Sequence, residues 1–138
     1  MKIAVSACLL GEKCKYNGGC NYCEAVVQYV KGREVIKVCP EVKAGLGVPR
    51  IPVEIVNGVV KDKNGNSVDA ALRKAVAEIL DELKDEQLEC AILKSRSPTC
   101  GVKQVYDGTF SGTLVDGMGV LAKALQEAGY QVIDSEDL

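Results

Sequence analysis

The chain predicts an α/β fold: an open, mainly parallel sheet with helices on both faces, a Rossmann-like three-layer arrangement, plus a small β-hairpin insertion. Three observations predict it. Short apolar runs fit for strands recur at 2–7, 34–38, 89–93 and 130–133. Apolar residues at helical spacing lie between them, most clearly over 67–84. The resulting order, strand, helix, strand, hairpin, helix, strand, loop, helix, strand, is that of a parallel sheet built by crossovers.

The elements follow in chain order. Residues 2–7 are rich in Ile, Val and Ala and read as a buried strand. Leu9 to Gly19 is a loop with a turn cluster at Lys15-Tyr16-Asn17-Gly18-Gly19. Tyr22, Cys23, Val26, Val27 and Val30 recur at helical spacing, which gives a helix over roughly 21–31 stopped at Gly32. Residues 34–38 form a second strand. Pro40, Gly45, Gly47, Pro49 and Pro52 forbid a long regular element up to 52. They leave room for a short helix at 41–45 and an extended edge at 51–54. Glu54-Ile55-Val56 and Val59-Val60-Lys61 flank Asn57-Gly58, the strongest hairpin signal in the chain.

In the helix at 67–84, the residues Val68, Ala71, Leu72, Ala75, Val76, Ile79, Leu80 and Leu83 form one apolar stripe. Ser67 or Asn66 stands where a cap belongs. Residues 89–93 are a third strand, and 95–101 a polar loop. Residues 102–110 hold a short strand or a hairpin around Asp107-Gly108. Met118, Leu121, Ala122, Leu125 and Ala128 mark a last helix ended by Gly129, before the strand at 130–133. No repeat, low-complexity tract or linker divides the chain, so 1–138 is read as a single domain. The Gly/Pro stretch at 43–52 is read as a site loop.

Composition narrows the function. A net charge of −2 gives no bulk argument for a polyanionic partner, so a tRNA or DNA site would need a local basic patch. Lys13, Lys15, Arg50, Arg96 and Lys103 are the candidates for one. A single Phe and no Trp speak against a single-strand stacking platform. No run reaches the ~18 apolar residues of a membrane span, and no export signal follows Met1, so no membrane partner is expected. The expected compartment is the cytoplasm. There, seven cysteines point to metal binding or catalysis before a disulfide framework. The chain has no histidine, which excludes a Ser-His-Asp triad, a Cys-His pair and any His-ligated metal. No GxGxxG follows a strand, so a nicotinamide or flavin fingerprint is missing.

Cys8, Cys39 and Cys100 each lie just past a strand-like run. In open α/β sheets, ligands bind outside the carboxyl ends of the strands, so these three thiols are candidates to meet at one site. Two readings stand side by side: small buried hydrophobes, or thiolate ligands of a metal centre. Cys90 lies within a strand and reads as core. Cys20-Asn21-Tyr22-Cys23 is a CxxC with Cys14 nearby. It lacks both a second CxxC for zinc and the strand-to-helix setting of a thiol oxidoreductase, so an accessory role is expected.

Glu41 follows Cys39 by two residues and is a candidate to move a proton or direct a water, or simply an acid in a helix first turn. The loop Ser95-Arg96-Ser97-Pro98-Thr99-Cys100-Gly101 is rich in hydroxyls and reads as a polar turn or as a cradle for an anion or heterocycle. Tyr106-Asp107-Gly108-Thr109-Phe110-Ser111-Gly112 reads as a turn, or as a lid with hydroxyls and one aromatic face.

These motifs occur in one order over almost the whole chain: Ser6-Ala-Cys-Leu-Leu-Gly11, Lys15-Tyr-Asn-Gly18, Cys39-Pro-Glu41, Gly45-Leu46 with Pro49-Arg50, Ile92 to Gly101, and Tyr106 to Gly112. Together they resemble the domain-of-unknown-function 523 (DUF523) family, which includes thiouracil desulfidase. The resemblance implies a [4Fe-4S] cluster held by three cysteines, matching Cys8, Cys39 and Cys100, with one iron open to the substrate's sulfur. It implies catalytic roles for Glu41 and Ser97, with Ser95 a second choice for the serine. The implied activity is that of a non-redox carbon–sulfur hydrolase, releasing hydrogen sulfide from a thiouracil-like base or nucleoside. The implied partner is a small thiolated base or nucleoside; longer members of the family, with an added domain, act on tRNA, and the mild acidity of this chain favours the small molecule over tRNA or DNA. Many relatives carry an acid where Asn17 stands, and no role transfers to Cys14, Cys20 or Cys23. The alternatives that the residues leave open are a non-catalytic metal, cluster or metabolite-binding protein, and a dithiol oxidoreductase using Cys20 and Cys23.

Overall fold

A computed structural model describes residues 1–138. Its centre is a four-stranded parallel sheet. Strand β1 (Lys2–Ser6) pairs with β2 (Glu34–Val38) on one side and β5 (Leu88–Leu93) on the other, and β8 (Val132–Asp134) closes the far edge beside β5. The spatial order β2-β1-β5-β8 reverses the chain's direction of travel at β1. The crossover before the reversal and those after it therefore lie on opposite faces.

Side-chain parity along β1 shows both faces buried. Ile3 and Val5 point to one side, against Val26 and Val30 of α1 (Glu24–Val30). Ala4 points to the other, against Val76, Ile79 and Leu83 of α3 (Asp69–Leu83) and Leu121, Ala122 and Leu125 of α4 (Val120–Glu127). Because both faces are covered, the central strands read as near-continuous apolar runs rather than alternating ones. Cys90 is 2% exposed and packs with the α1 face, as a small hydrophobe does.

The short α2 (Pro40–Lys43) begins directly after β2, with Pro40 in its first turn. Beyond it, β3 (Val53–Val56) and β4 (Val59–Asp62) form the hairpin that Asn57-Gly58 signals. Both turn residues take positive φ, +50° and +80°, as a type I′ turn requires. The hairpin packs Val53 and Val60 onto Leu72 of α3. No helix is long and apolar enough to cross a membrane.

The structure corrects several boundaries. Helix α1 starts at Glu24, not 21, because Cys23 is extended and the segment before it is bonded to the turn after β1: Asn21 N donates to the Cys8 carbonyl and Cys23 N to that of Leu9. Tyr22 thereby leaves the apolar stripe and is 55% exposed. Ser67 Oγ does accept the Asp69 N–H at 3.4 Å, but it stands one residue before the N-cap of α3. Val68 occupies the N-cap, and Asp69 accepts the backbone N–H of Val60, which ties the helix start to the hairpin. Ala71 lies on the exposed side of that helix. The segment after Cys100 is a hairpin of β6 (Gln104–Tyr106) and β7 (Leu114–Asp116), joined by a long loop rather than a tight Asp107-Gly108 turn. Its second strand was hidden because Leu114-Val115-Asp116 is too short to show a period.

Candidate functional site

The carboxyl ends of β1, β2 and β5 lie side by side, with Ser6 beside Val38 and Val5 beside Ile92. Each of the three sequence-selected cysteines follows one of these ends. Cys8 sits in a 3-10 turn at Ala7–Leu10, closed by Gly11 at φ +95°. Cys39 is the residue after β2 and stands at the N-cap of α2. Cys100 follows a loop that doubles back to the sheet edge. Its loop is held by Ser97, whose Oγ accepts from Thr99 N (3.2 Å) and Cys100 N (3.1 Å). The start of α4 abuts this turn so closely that a Cβ on Gly119 would lie 2.5 Å from the carbonyl carbon of Thr99. Only glycine admits that approach.

Cys8, Cys39, Cys100, Glu41 and Ser97 all line one cavity of about 540 Å³, and Ser95 lines it too. The structure therefore brings together the three cysteines at the strand ends, Glu41 and both candidate serines. Burial pushes the Cys100 thiol up to about 12, against hydrogen bonds from Ser6 and Thr99. Burial also raises Cys8, opposed by Asn21, whose Nδ2 donates to the sulfur at 3.4 Å. The negative charge of Cys39 adds to the rise at Cys8, and that of Cys8 to the rise at Cys100, as expected for thiols sharing one enclosure.

Cys8 and Cys100, raised in this way, hold their protons until a cation displaces them. No three Cys, Asp or Glu side chains close around one point as they would for a single ion. A polynuclear cluster asks for a different arrangement, one thiolate per iron spread around a body. Three thiols from three separate elements lining one cavity fit that demand, and without histidine the donors are the soft type an iron–sulfur cluster takes.

Other residues here carried a weaker sequence signal. Arg50, expected as a candidate phosphate cation, is instead committed internally. Its Nη2 donates to Glu41 Oε2 at 2.8 Å and to the Cys14 carbonyl at 2.8 Å, and its Nη1 to the Gly47 carbonyl at 2.9 Å. The Arg50 side chain is 6% exposed and that of Glu41 17%. Arg96 pairs with Glu136 and Lys103 with Asp137, so the basic patch is largely neutralised, and neither Lys13 nor Lys103 lines the cavity. Lys15, Lys63 and Lys94 do line it. Burial lowers the Lys94 ammonium, with the nearby Arg96 charge adding to the effect.

Cys14 also lines the cavity, and burial, then the charges of Cys39 and Cys8, push its thiol up to about 12. Nothing in its loop sequence set it apart from Cys20 and Cys23. Those two line a separate, shallower depression beside α1, so the structure parts Cys14 from the CxxC.

Fold and site together define an α/β protein whose cavity, at the carboxyl edge of a parallel sheet, gathers thiols, a carboxylate and hydroxyls. The chain belongs to the 2-thiouracil desulfurase family, whose model matches residues 3–137. It is 36% identical over 146 residues to the uncharacterized protein YbbK of Bacillus subtilis (strain 168), spanning 99% of this chain and 97% of that relative. Its fold matches the solved structure of a [4Fe-4S]-dependent thiouracil desulfidase, TudS (DUF523Vcz). There the TM-score is 0.92 at 33% identity, covering 99% of this chain and 92% of the other. The family resemblance carried by the sequence motifs is thus borne out, as is the α/β fold.

Proposed function

We infer that this protein is a [4Fe-4S]-dependent, non-redox desulfidase that converts a thiocarbonyl of a thiolated pyrimidine base or nucleoside to a carbonyl and releases hydrogen sulfide. The observation that carries this reading is the convergence of Cys8, Cys39 and Cys100 with Glu41 and Ser97 on one cavity. Family membership and the likeness to TudS support it. The cavity lies within the roughly 300–1,000 Å³ of small-molecule sites, which favours a base or nucleoside over tRNA. The proposed setting is the cytoplasm, whose reducing conditions suit seven free thiols.

Cys8, Cys39 and Cys100 would hold the cluster, leaving one iron without a protein ligand. When bound, the cluster supplies a soft Lewis acid for the substrate's sulfur and polarises the carbon–sulfur bond. Glu41 has one carboxylate oxygen engaged by Arg50, so Oε1 is the one available to take a proton from water. Ser97 Oγ accepts two backbone N–H groups, which fixes the oxygen, and its own proton is left to orient the ring or be passed on. Thr99 Oγ1, 3.0 Å away, is the partner for that proton in the resting site. The overall exchange of sulfur for the oxygen of water balances without electrons. That agrees with a chain lacking a nicotinamide or flavin fingerprint.

The test is an anaerobic assay of reconstituted protein on 2-thiouracil, 4-thiouracil and their nucleosides. It follows hydrosulfide and the loss of thiocarbonyl absorbance. Stoichiometric hydrosulfide without added reductant is expected, and Glu41→Gln should lower kcat by at least about a hundredfold. Loaded protein that releases none from any of them contradicts the reading.

A further inference from the structure

The loop at 107–113, between β6 and β7, leaves its own hairpin and rests on β3. Glu54 holds it there. Gly108 N donates to Glu54 Oε1 at 3.0 Å and Phe110 N to the same oxygen at 3.2 Å. Glu54 is 8% exposed, and no cation pairs with it. The contact is close: a Cβ on Gly108 would lie 2.6 Å from the Ile55 carbonyl oxygen. Asp107 Oδ1 accepts both the N–H and the hydroxyl of Thr109, which stiffens the turn. Phe110 is held at φ +56°, a region bulky side chains rarely enter. Such conformations persist where the surroundings over-determine them, and they gather at functional sites.

Phe110 is the chain's sole phenylalanine, and it belongs to none of the three hydrophobic clusters. It lines the cavity that holds Cys8, Cys39 and Cys100. An aromatic ring kept out of the core, on a strained and anchored backbone, needs a reason outside the fold.

We propose that Phe110 is the face on which the substrate's planar ring stacks, and that Glu54 is a positioning residue that acts through it. The proposal rests on the reading of this cavity as a site for a thiolated pyrimidine. Stacking fixes the plane of a heterocycle without using its polar edge. The edge is then left to the hydroxyls and carboxylate, and the exocyclic sulfur can be aimed at the thiols. Glu54 contributes no atom to the ring. Its single oxygen satisfies the two N–H groups that keep the loop folded in the orientation that turns Phe110 inward.

The test titrates uracil, the sulfur-free product, into anaerobic cluster-loaded protein by calorimetry, with iron content and thermal midpoint measured for each variant. Phe110→Leu should weaken uracil binding roughly tenfold. Phe110→Tyr should keep it within about threefold. Glu54→Ala should match Phe110→Leu, whereas Glu54→Gln, which retains the acceptor oxygen, should restore binding. The double variant Glu54→Ala with Phe110→Leu should bind no more weakly than Phe110→Leu alone, since one residue works through the other. Unchanged uracil binding in Phe110→Leu, in a protein that still releases hydrosulfide from thiouracil, overturns this proposal and leaves the function standing. Losses that add in the double variant overturn the role of Glu54. Wild-type protein that neither binds uracil nor releases hydrosulfide overturns the functional reading and this proposal with it.

Discussion

Replacing Arg50 by Met tests how the cavity wall is held. The substitution keeps the apolar stem and removes three hydrogen bonds: to Glu41 Oε2, to the Cys14 carbonyl and to the Gly47 carbonyl. It also leaves the Glu41 carboxylate without a cation in a wall where its side chain is 17% exposed. Breaking a buried pair by removing one partner costs about 3–5 kcal/mol. Water reaches part of Glu41, so the lower end applies, about 3 kcal/mol. At ~2.1 cal/mol/K per residue, 138 residues give an unfolding entropy of about 290 cal/mol/K, so the midpoint should fall by about 10 °C. The assay is thermal unfolding of the iron-free, reduced protein by circular dichroism, paired with hydrosulfide release by the loaded protein. Arg50→Lys should lose about half as much, because it keeps the charge but not the forked geometry. Adding Glu41→Gln to Arg50→Met should recover part of the loss, because no unpaired charge then remains. An Arg50→Met midpoint within about 2 °C of wild type refutes the account of the wall.

Three further outcomes follow from the geometry. Gly119→Ala drives a Cβ into the Thr99 carbonyl, so it should shift the Cys100 turn, lower iron content after reconstitution and cost about 1–3 kcal/mol in urea unfolding; a fully loaded, equally stable variant contradicts this. Cys100 and Cys14 in iron-free protein should alkylate with iodoacetamide at least about tenfold more slowly than in urea, read by mass spectrometry, because both thiols are pushed up to about 12; equal rates contradict it. Burial opposes ionisation of Asp69, yet its bonds from Arg73 and the Val60 N–H outweigh it and hold the carboxyl below 3.8. Its ionised form therefore contributes stability above pH 3.8, lost as pH falls through the lower folded value. Asp69→Asn should be less stable by about 1 kcal/mol at pH 7 and equal to wild type near pH 2, measured by urea unfolding across pH. A gap independent of pH contradicts this.

Much of the fold is legible in the chain because its signals are local. The apolar runs of β1, β2 and β5, the stripe of α3 and the Asn57-Gly58 turn each carry their own period or backbone preference. The errors fall where a distant contact overrides a local one. Asn21 and Cys23 give their backbone N–H groups to the turn at Cys8 and Leu9, which delays α1. Val60 N donates to the carboxylate of Asp69, a tie between the hairpin and the start of α3 that no local capping signal shows.

The site divides in the same way. Cys8, Cys39 and Cys100 can be found because strand ends of a parallel sheet have a known meaning. The motifs then add Glu41 and Ser97. Arg50 and Glu54 are invisible as partners, since Glu41 lies nine positions before the one and Gly108 fifty-four after the other. Cys14 looks like a neighbour of Cys20 and Cys23, and only the fold separates them, with Cys14 on the main cavity and the other two beside α1.

The central claim is that Cys8, Cys39 and Cys100, and no other cysteines, hold the cluster. Anaerobic reconstitution followed by iron analysis and visible absorbance tests it across single Cys→Ala variants. About four irons per chain are expected in wild type and in Cys14→Ala, Cys20→Ala and Cys23→Ala, with the colour lost in Cys8→Ala, Cys39→Ala and Cys100→Ala. A full iron complement in any of those last three variants, or its loss in Cys14→Ala, Cys20→Ala or Cys23→Ala, contradicts it.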